Sequence, residues 1–117
     1  MEVDGDLLVE RSAQASVVIL RGEHDLSTSP ALEAELDAVF EHGTSVVVDL
    51  AEASFIDSSV AGALMRTWES RKASSMVLCA PGGSPPRRLL DMIGITSLIP
   101  TFETRAQALD HLATHAS

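Results

Sequence analysis

The residues best equipped for chemistry lie in one run, Phe55-Ile56-Asp57-Ser58-Ser59. Two hydroxyls follow a carboxylate directly, and a helical pattern begins at the same point. Ser and Asp favour a helix N-terminus because their oxygens accept bonds from the unpaired N–H groups of the first turn. That terminus also favours negative charge. A serine presented there can carry a phosphate, and adding or removing one changes what the surface binds. Residue types alone do not separate Ser58 from Ser59, since either can cap the helix while the other is simply polar.

Other constellations carry less. A serine hydrolase of nucleophile-elbow type needs G-x-S-x-G, and Ile56-Asp57-Ser58-Ser59-Val60 has no flanking glycine. His24, after the second predicted strand, is the base that could approach Ser58. Glu23, Asp25 and Asp57 fall at strand ends, where the loops of an α/β sheet converge. Two of them could hold a hard cation such as magnesium, although carboxylates in such places more often cap helices and brace loops. Asp49 interrupts an apolar strand and is expected to brace a neighbouring loop N–H. His111 and His115 share a helix face but lack a carboxylate or cysteine at ligand spacing, so they read as surface residues. Cys79 reads as a small buried hydrophobe. Gly82-Gly83-Ser84 resembles a phosphate cradle but lacks the lysine of a P-loop. No metal or cofactor is expected.

The elements that must position these groups follow from pattern. Val46-Val47-Val48-Asp49-Leu50 is a short β-branched run, as in a strand buried on both faces. Ala61, Leu64, Met65 and Trp68 recur at helical spacing after Ser59. Before this unit come strands over residues 6–11 and 16–22, joined by a polar turn at 12–15. Ser29-Pro30 opens a helix with Leu32, Leu36, Val39 and Phe40 inward and Gly43 at its end. After it come a strand over 76–80 and the breakers Pro81-Gly82-Gly83-Ser84. A helix from Ser84-Pro85 follows, with Leu89, Leu90, Met92 and Ile93 inward, and then a strand over 97–102. Thr104-Arg105-Ala106-Gln107 is a capping box opening a last helix, inward at Ala106, Leu109 and Leu112. Strands alternating with helices imply one α/β domain over residues 1–117, with a mixed, mostly parallel sheet of about five strands and four helices. One face of that sheet is expected to be well covered and the other partly open.

Charge excludes several functions. The net charge is −9 and the pI about 4.6, so nucleic acid and anionic membranes are poor partners. Three phenylalanines, one tryptophan and no tyrosine give no stacking platform for bases. The N-terminus is acidic where an export signal would be basic and then apolar, no run is long enough to span a bilayer, and the single cysteine has no partner. A cytoplasmic protein is expected.

Three stretches together resemble the STAS domain family, in particular its stand-alone bacterial anti-sigma factor antagonists. They are Gly22-Glu23-His24-Asp25-Leu26 leading to Pro30-Ala31-Leu32, then Val48-Asp49-Leu50 with Phe55-Ile56-Asp57-Ser58-Ser59, and finally Arg88-Leu89-Leu90-Asp91-Met92-Ile93-Gly94-Ile95 through to Leu109. The resemblance runs from about Leu7 to His111 and implies no enzymatic activity. It implies phosphorylation on Ser58, with Asp57, Ser59, Val60, Asp25, Glu23 and His24 forming the surround that meets a partner. The implied partners are an anti-sigma factor with serine kinase activity and a phosphatase, and the chain itself is expected as a monomer or weak dimer. Val60-Ala61 replaces the family's usual Gly-Leu, and a β-branched residue there is expected to crowd a kinase active site. His24 replaces an apolar residue. The alternative within the same fold is a STAS scaffold subunit of a transport or signalling complex, with the serines serving only as caps.

Overall fold

The computed structural model describes residues 5–12, 14–43, 45–71 and 75–115. Residues 1–4, part of the acidic N-terminus, and the side chain of His115 lie outside the described residues. The strands are β1 (Asp6–Arg11), β2 (Ala15–His24), β3 (Ser45–Asp49), β4 (Ala53–Ile56), β5 (Met76–Cys79) and β6 (Thr101–Phe102). The helices are α1 (Ser29–Glu41), α2 (Ser58–Arg71), α3 (Pro85–Met92) and α4 (Arg105–His115), with a 3₁₀ turn at Ile95–Ser97.

The sheet runs β1-β2-β3-β5-β6, and β4 pairs with β2 off that path. Among the described residues only β1–β2 is antiparallel; β2–β3, β2–β4, β3–β5 and β5–β6 are parallel. The central strands are continuous apolar runs because both faces are covered. Val46, Val47, Val48, Met76, Val77, Leu78 and Cys79 are all fully buried. On one face, Leu32, Leu36 and Val39 of α1, Val60, Ala61, Ala63 and Leu64 of α2, and Leu90 of α3 close the larger core. On the other, Val17, Ile19, Val47, Val77 and Cys79 meet Ala108 and Leu112 of α4. The face expected to be partly open is thus covered by the last helix.

Four details depart from expectation. The sheet has a sixth strand, β4, in what reads as loop. It hides because Ala53 and Phe55 sit opposite the adjacent residues Gly22 and Glu23, so Ser54 is an extra residue and the inside–outside alternation breaks. The strand expected over 97–102 is instead the end of the 3₁₀ turn and a two-residue β6. Ile95 and Ile99 point inward, with the N–H of Ile99 donating to the Ile95 carbonyl, and Pro100 has no N–H to offer a ladder. In α3 only Pro86 and Leu90 are buried; the helix stops at Met92, so Met92 and Ile93 project from its end rather than inward. In α4, Ala108 takes the buried place expected of Ala106, which is exposed. The capping box forms as expected: the Gln107 N–H donates to Thr104 Oγ1 at 3.1 Å, and Gln107 Oε1 accepts the Thr104 N–H at 3.2 Å.

Candidate functional site

Where a parallel strand ends and the chain turns away, the next N–H groups lose their ladder partners, and a short acceptor side chain can take them. This chain does so three times with aspartate. Oδ1 of Asp25, after β2, accepts the Ser27 N–H at 2.9 Å. Oδ1 of Asp49, at the end of β3, accepts the Ala51 N–H at 2.9 Å, the bracing role expected of it. Oδ1 of Asp57, after β4, accepts the N–H groups of Ser59 at 3.0 Å and Val60 at 3.2 Å, and so caps α2.

The cap separates the two serines. Ser59 donates its hydroxyl to Asp57 Oδ1 at 2.5 Å and is half-buried. Ser58 is exposed, occupies the first residue of α2, and its hydroxyl makes no hydrogen bond among the described residues. One hydroxyl is spent on the turn and the other is presented to solvent.

The surround is assembled by β2 and β4, whose register sets Glu23 against Phe55 and His24 against Ile56. Directly paired residues share a sheet face, so Glu23 and Phe55 both face outward while His24 and Ile56 are buried. Asp25 and Asp57 therefore follow neighbouring strand ends. Asp25 is exposed, and hydrogen bonds from the Ser27 hydroxyl and then its N–H hold its carboxyl below the ordinary 3.8. Asp57 is half-buried. Neither Glu23, Asp25 nor Asp57 has a cationic partner among the described residues, whereas Arg21, Arg66, Arg71, Arg87 and Arg105 are each paired elsewhere.

Two of the expected surface residues are not on the surface. His24 is fully buried; its Nε2 lies 2.9 Å from the Arg21 carbonyl, next to the bulge at Gly22, and Nδ1 has no partner among the described residues. A ring in that position braces the bend of β2 and does not reach Ser58 as a base. Val60 is also fully buried, because the inward stripe of α2 includes residues 60, 61, 63 and 64. A side chain that packs into the core does not crowd an incoming active site, so that expectation is withdrawn.

The remaining candidates are structural. Among the described residues no three His, Cys, Asp or Glu side chains stand together as a metal site. The N–H of Gly82 donates to Glu103 Oε1 at 2.9 Å, so a carboxylate already fills the place where a phosphate would sit. Cys79 is buried, and desolvation, followed by the nearby Asp49 charge, pushes its thiol up to about 12, which leaves it inert. Asp49 uses its second oxygen for Arg105, with Nε at 2.8 Å, and Arg105 also reaches Glu10 at 3.0 Å. Arg105 had no visible role in the sequence; only the three-dimensional pairing reveals it. His111 lines an open groove of about 460 Å³ with Phe102, Glu103 and Asp110, away from Ser58.

The structure thus combines an α/β domain with an exposed serine on the first turn of a helix, next to the carboxylate that caps it. The STAS domain model matches residues 6–108, and the chain belongs to that family. A curated relative from Paenibacillus polymyxa, named anti-sigma F factor antagonist, is 28% identical over 113 residues, covering 92% of this chain and 96% of the relative. The crystal structure of an anti-sigma factor antagonist from Mycobacterium paratuberculosis is 30% identical, with a TM-score of 0.85 over 94% of this chain and 95% of that one. The phosphorylated form of the Bacillus cell-fate determinant SpoIIAA shares the fold, with a TM-score of 0.65 at 23% identity over 92% of this chain and 99% of that one. Among the described residues no helix is long and apolar enough to cross a membrane.

Proposed function

We propose that this chain is an anti-sigma factor antagonist that acts as a phosphorylation switch. Unmodified, it binds an anti-sigma factor that is also a serine kinase and so frees the sigma factor. Phosphorylation of Ser58 by that kinase releases the complex, and a phosphatase resets it. The chain binds and is modified; it catalyses nothing itself. The observation that carries this reading is the division of labour between the serines, with Ser59 bonded to Asp57 and Ser58 exposed and unbonded. The names of the Paenibacillus and Mycobacterium relatives support the partner class.

The chemistry supports release without refolding. A phosphate adds about −1.5 to −2 charge and three acceptor oxygens. The first turn of α2 tolerates that charge, because its dipole offers a partial positive end. A partner packed against a hydroxyl would instead meet a bulky dianion beside Asp57, Asp25 and Glu23. A penalty of about 3 kcal/mol lowers affinity more than a hundredfold.

The test uses the purified protein, a purified anti-sigma factor with serine kinase activity from the same organism, and ATP, with mass spectrometry to locate phosphate. A phosphate on Ser58, absent in Ser58→Ala, supports the switch. Stable binding with no phosphate transfer would favour the scaffold alternative. Equal affinity of the phosphorylated and unmodified forms would overturn the release mechanism.

A further inference from the structure

We infer that Leu26 is the apolar anchor through which this chain engages its protein partner beside Ser58, and that the partner offers an apolar pocket rimmed by basic side chains. The inference rests on the binding role proposed above and adds to it a contact residue and the chemistry of the surface it meets.

Leu26 is 69% exposed. A single exposed leucine is ordinary on any protein surface. This one differs in how it is held. Asp25 Oδ1 accepts the Ser27 N–H at 2.9 Å and the Ser27 hydroxyl at 2.6 Å. The Thr28 N–H donates to the Asp25 carbonyl at 2.9 Å, and the Ser29 hydroxyl donates to the Leu26 carbonyl itself at 3.3 Å. The turn is bonded on both sides of a side chain that contributes nothing to the core. A rigidly presented apolar group loses little freedom on binding, which is the property of an anchor.

Its place is set by the sheet. Asp25-Leu26-Ser27 and Asp57-Ser58-Ser59 repeat one hydrogen-bond pattern, aspartate Oδ1 to the N–H and hydroxyl of the serine two residues on. They follow the paired ends of β2 and β4, and the helices they open, α1 and α2, pack against each other. The residue in the middle of one turn is Ser58 and in the middle of the other is Leu26. Phe55, 46% exposed, faces outward on the same strand pair.

The rim argues for the partner's charge. Glu23 and Asp25 are exposed and have no cation within ion-pair reach among the described residues. A surface that desolvates Leu26 must pass close to both carboxylates, so arginine or lysine is expected there. A second copy of this chain, with a net charge of −9 and the same acidic rim, is the wrong complement.

Titration calorimetry with the purified anti-sigma factor kinase of the same organism tests this, using wild type, Leu26→Ala, Leu26→Asp and Leu26→Met. Leu26→Ala is expected to weaken binding about tenfold or more, Leu26→Asp further, and Leu26→Met to stay within about threefold. The affinity of the wild type should fall with added salt. Wild-type binding matched by Leu26→Ala would overturn the anchor and leave the switch standing. Absence of wild-type binding would overturn the switch reading, and the anchor with it. Loss of self-association in Leu26→Ala, seen by ultracentrifugation with kinase binding unchanged, would overturn the choice of partner.

Discussion

Asp49 and Asp57 solve one local problem and then diverge. Each stands at the end of a parallel strand and accepts the N–H two residues on through Oδ1. Asp49 is 4% exposed, and its second oxygen is committed to Arg105, so the turn after β3 is locked between the sheet and α4. Asp57 is half-buried, caps a helix, and holds Ser59 so that Ser58 stands free. The same device serves stability at one strand end and display at the other. What decides is whether a cation arrives: Arg105 reaches Asp49, and none of the described arginines pairs with Asp57.

The contrast can be broken from its structural side first. Arg105→Ala leaves the buried Asp49 carboxylate without its cation, and removing one member of such a pair costs about 3 kcal/mol, read as a fall in the urea midpoint. Binding and phosphorylation at Ser58 should be unchanged in the folded fraction. On the display side, Ser58→Glu should lower affinity for the anti-sigma partner about a hundredfold, or about 2.7 kcal/mol, with little change in the unfolding midpoint. Asp57→Ala joins the two: loss of a helix cap costs about 1–2 kcal/mol of stability, and the freed Ser59 hydroxyl should make modification less selective for Ser58. Phosphopeptide mapping reads that second effect.

The smallest effect belongs to Asp25, which sharpens the comparison by sitting between the extremes. Its folded pKa lies below 3.8, so its stabilising effect is complete above that value and is lost as pH falls through the lower folded value. Asp25→Asn should therefore be slightly less stable than wild type at neutral pH, and the gap should close on acidification below about pH 4. A gap constant across pH would mean that the Ser27 bonds do not favour the charged form.

The strong periodicities were legible before any coordinates. The valine run of β3, the inward stripe of α1 and the capping box of α4 stand where pattern puts them, because each is a local arrangement repeated over several residues. What escaped depends on partners distant in sequence. β4 is four residues long with an extra Ser54, so no alternation survives to be read. His24 looks like a surface residue of a polar segment, and only the pairing of β2 with β4 turns it inward. Ser58 and Ser59 are identical as letters; the side chain of Asp57 tells them apart.

Arg105 reaches partners 56 and 95 positions earlier in the chain. The sheet face beneath α4 is therefore sealed by some of the most distant contacts in the molecule, and such contacts form slowly because a long loop must close before they are rewarded. During synthesis Val17, Ile19, Val47 and Val77 all leave the ribosome before the helix that hides them. A nascent chain paused at that stage should be a good client for holding chaperones and a poor one once α4 has emerged.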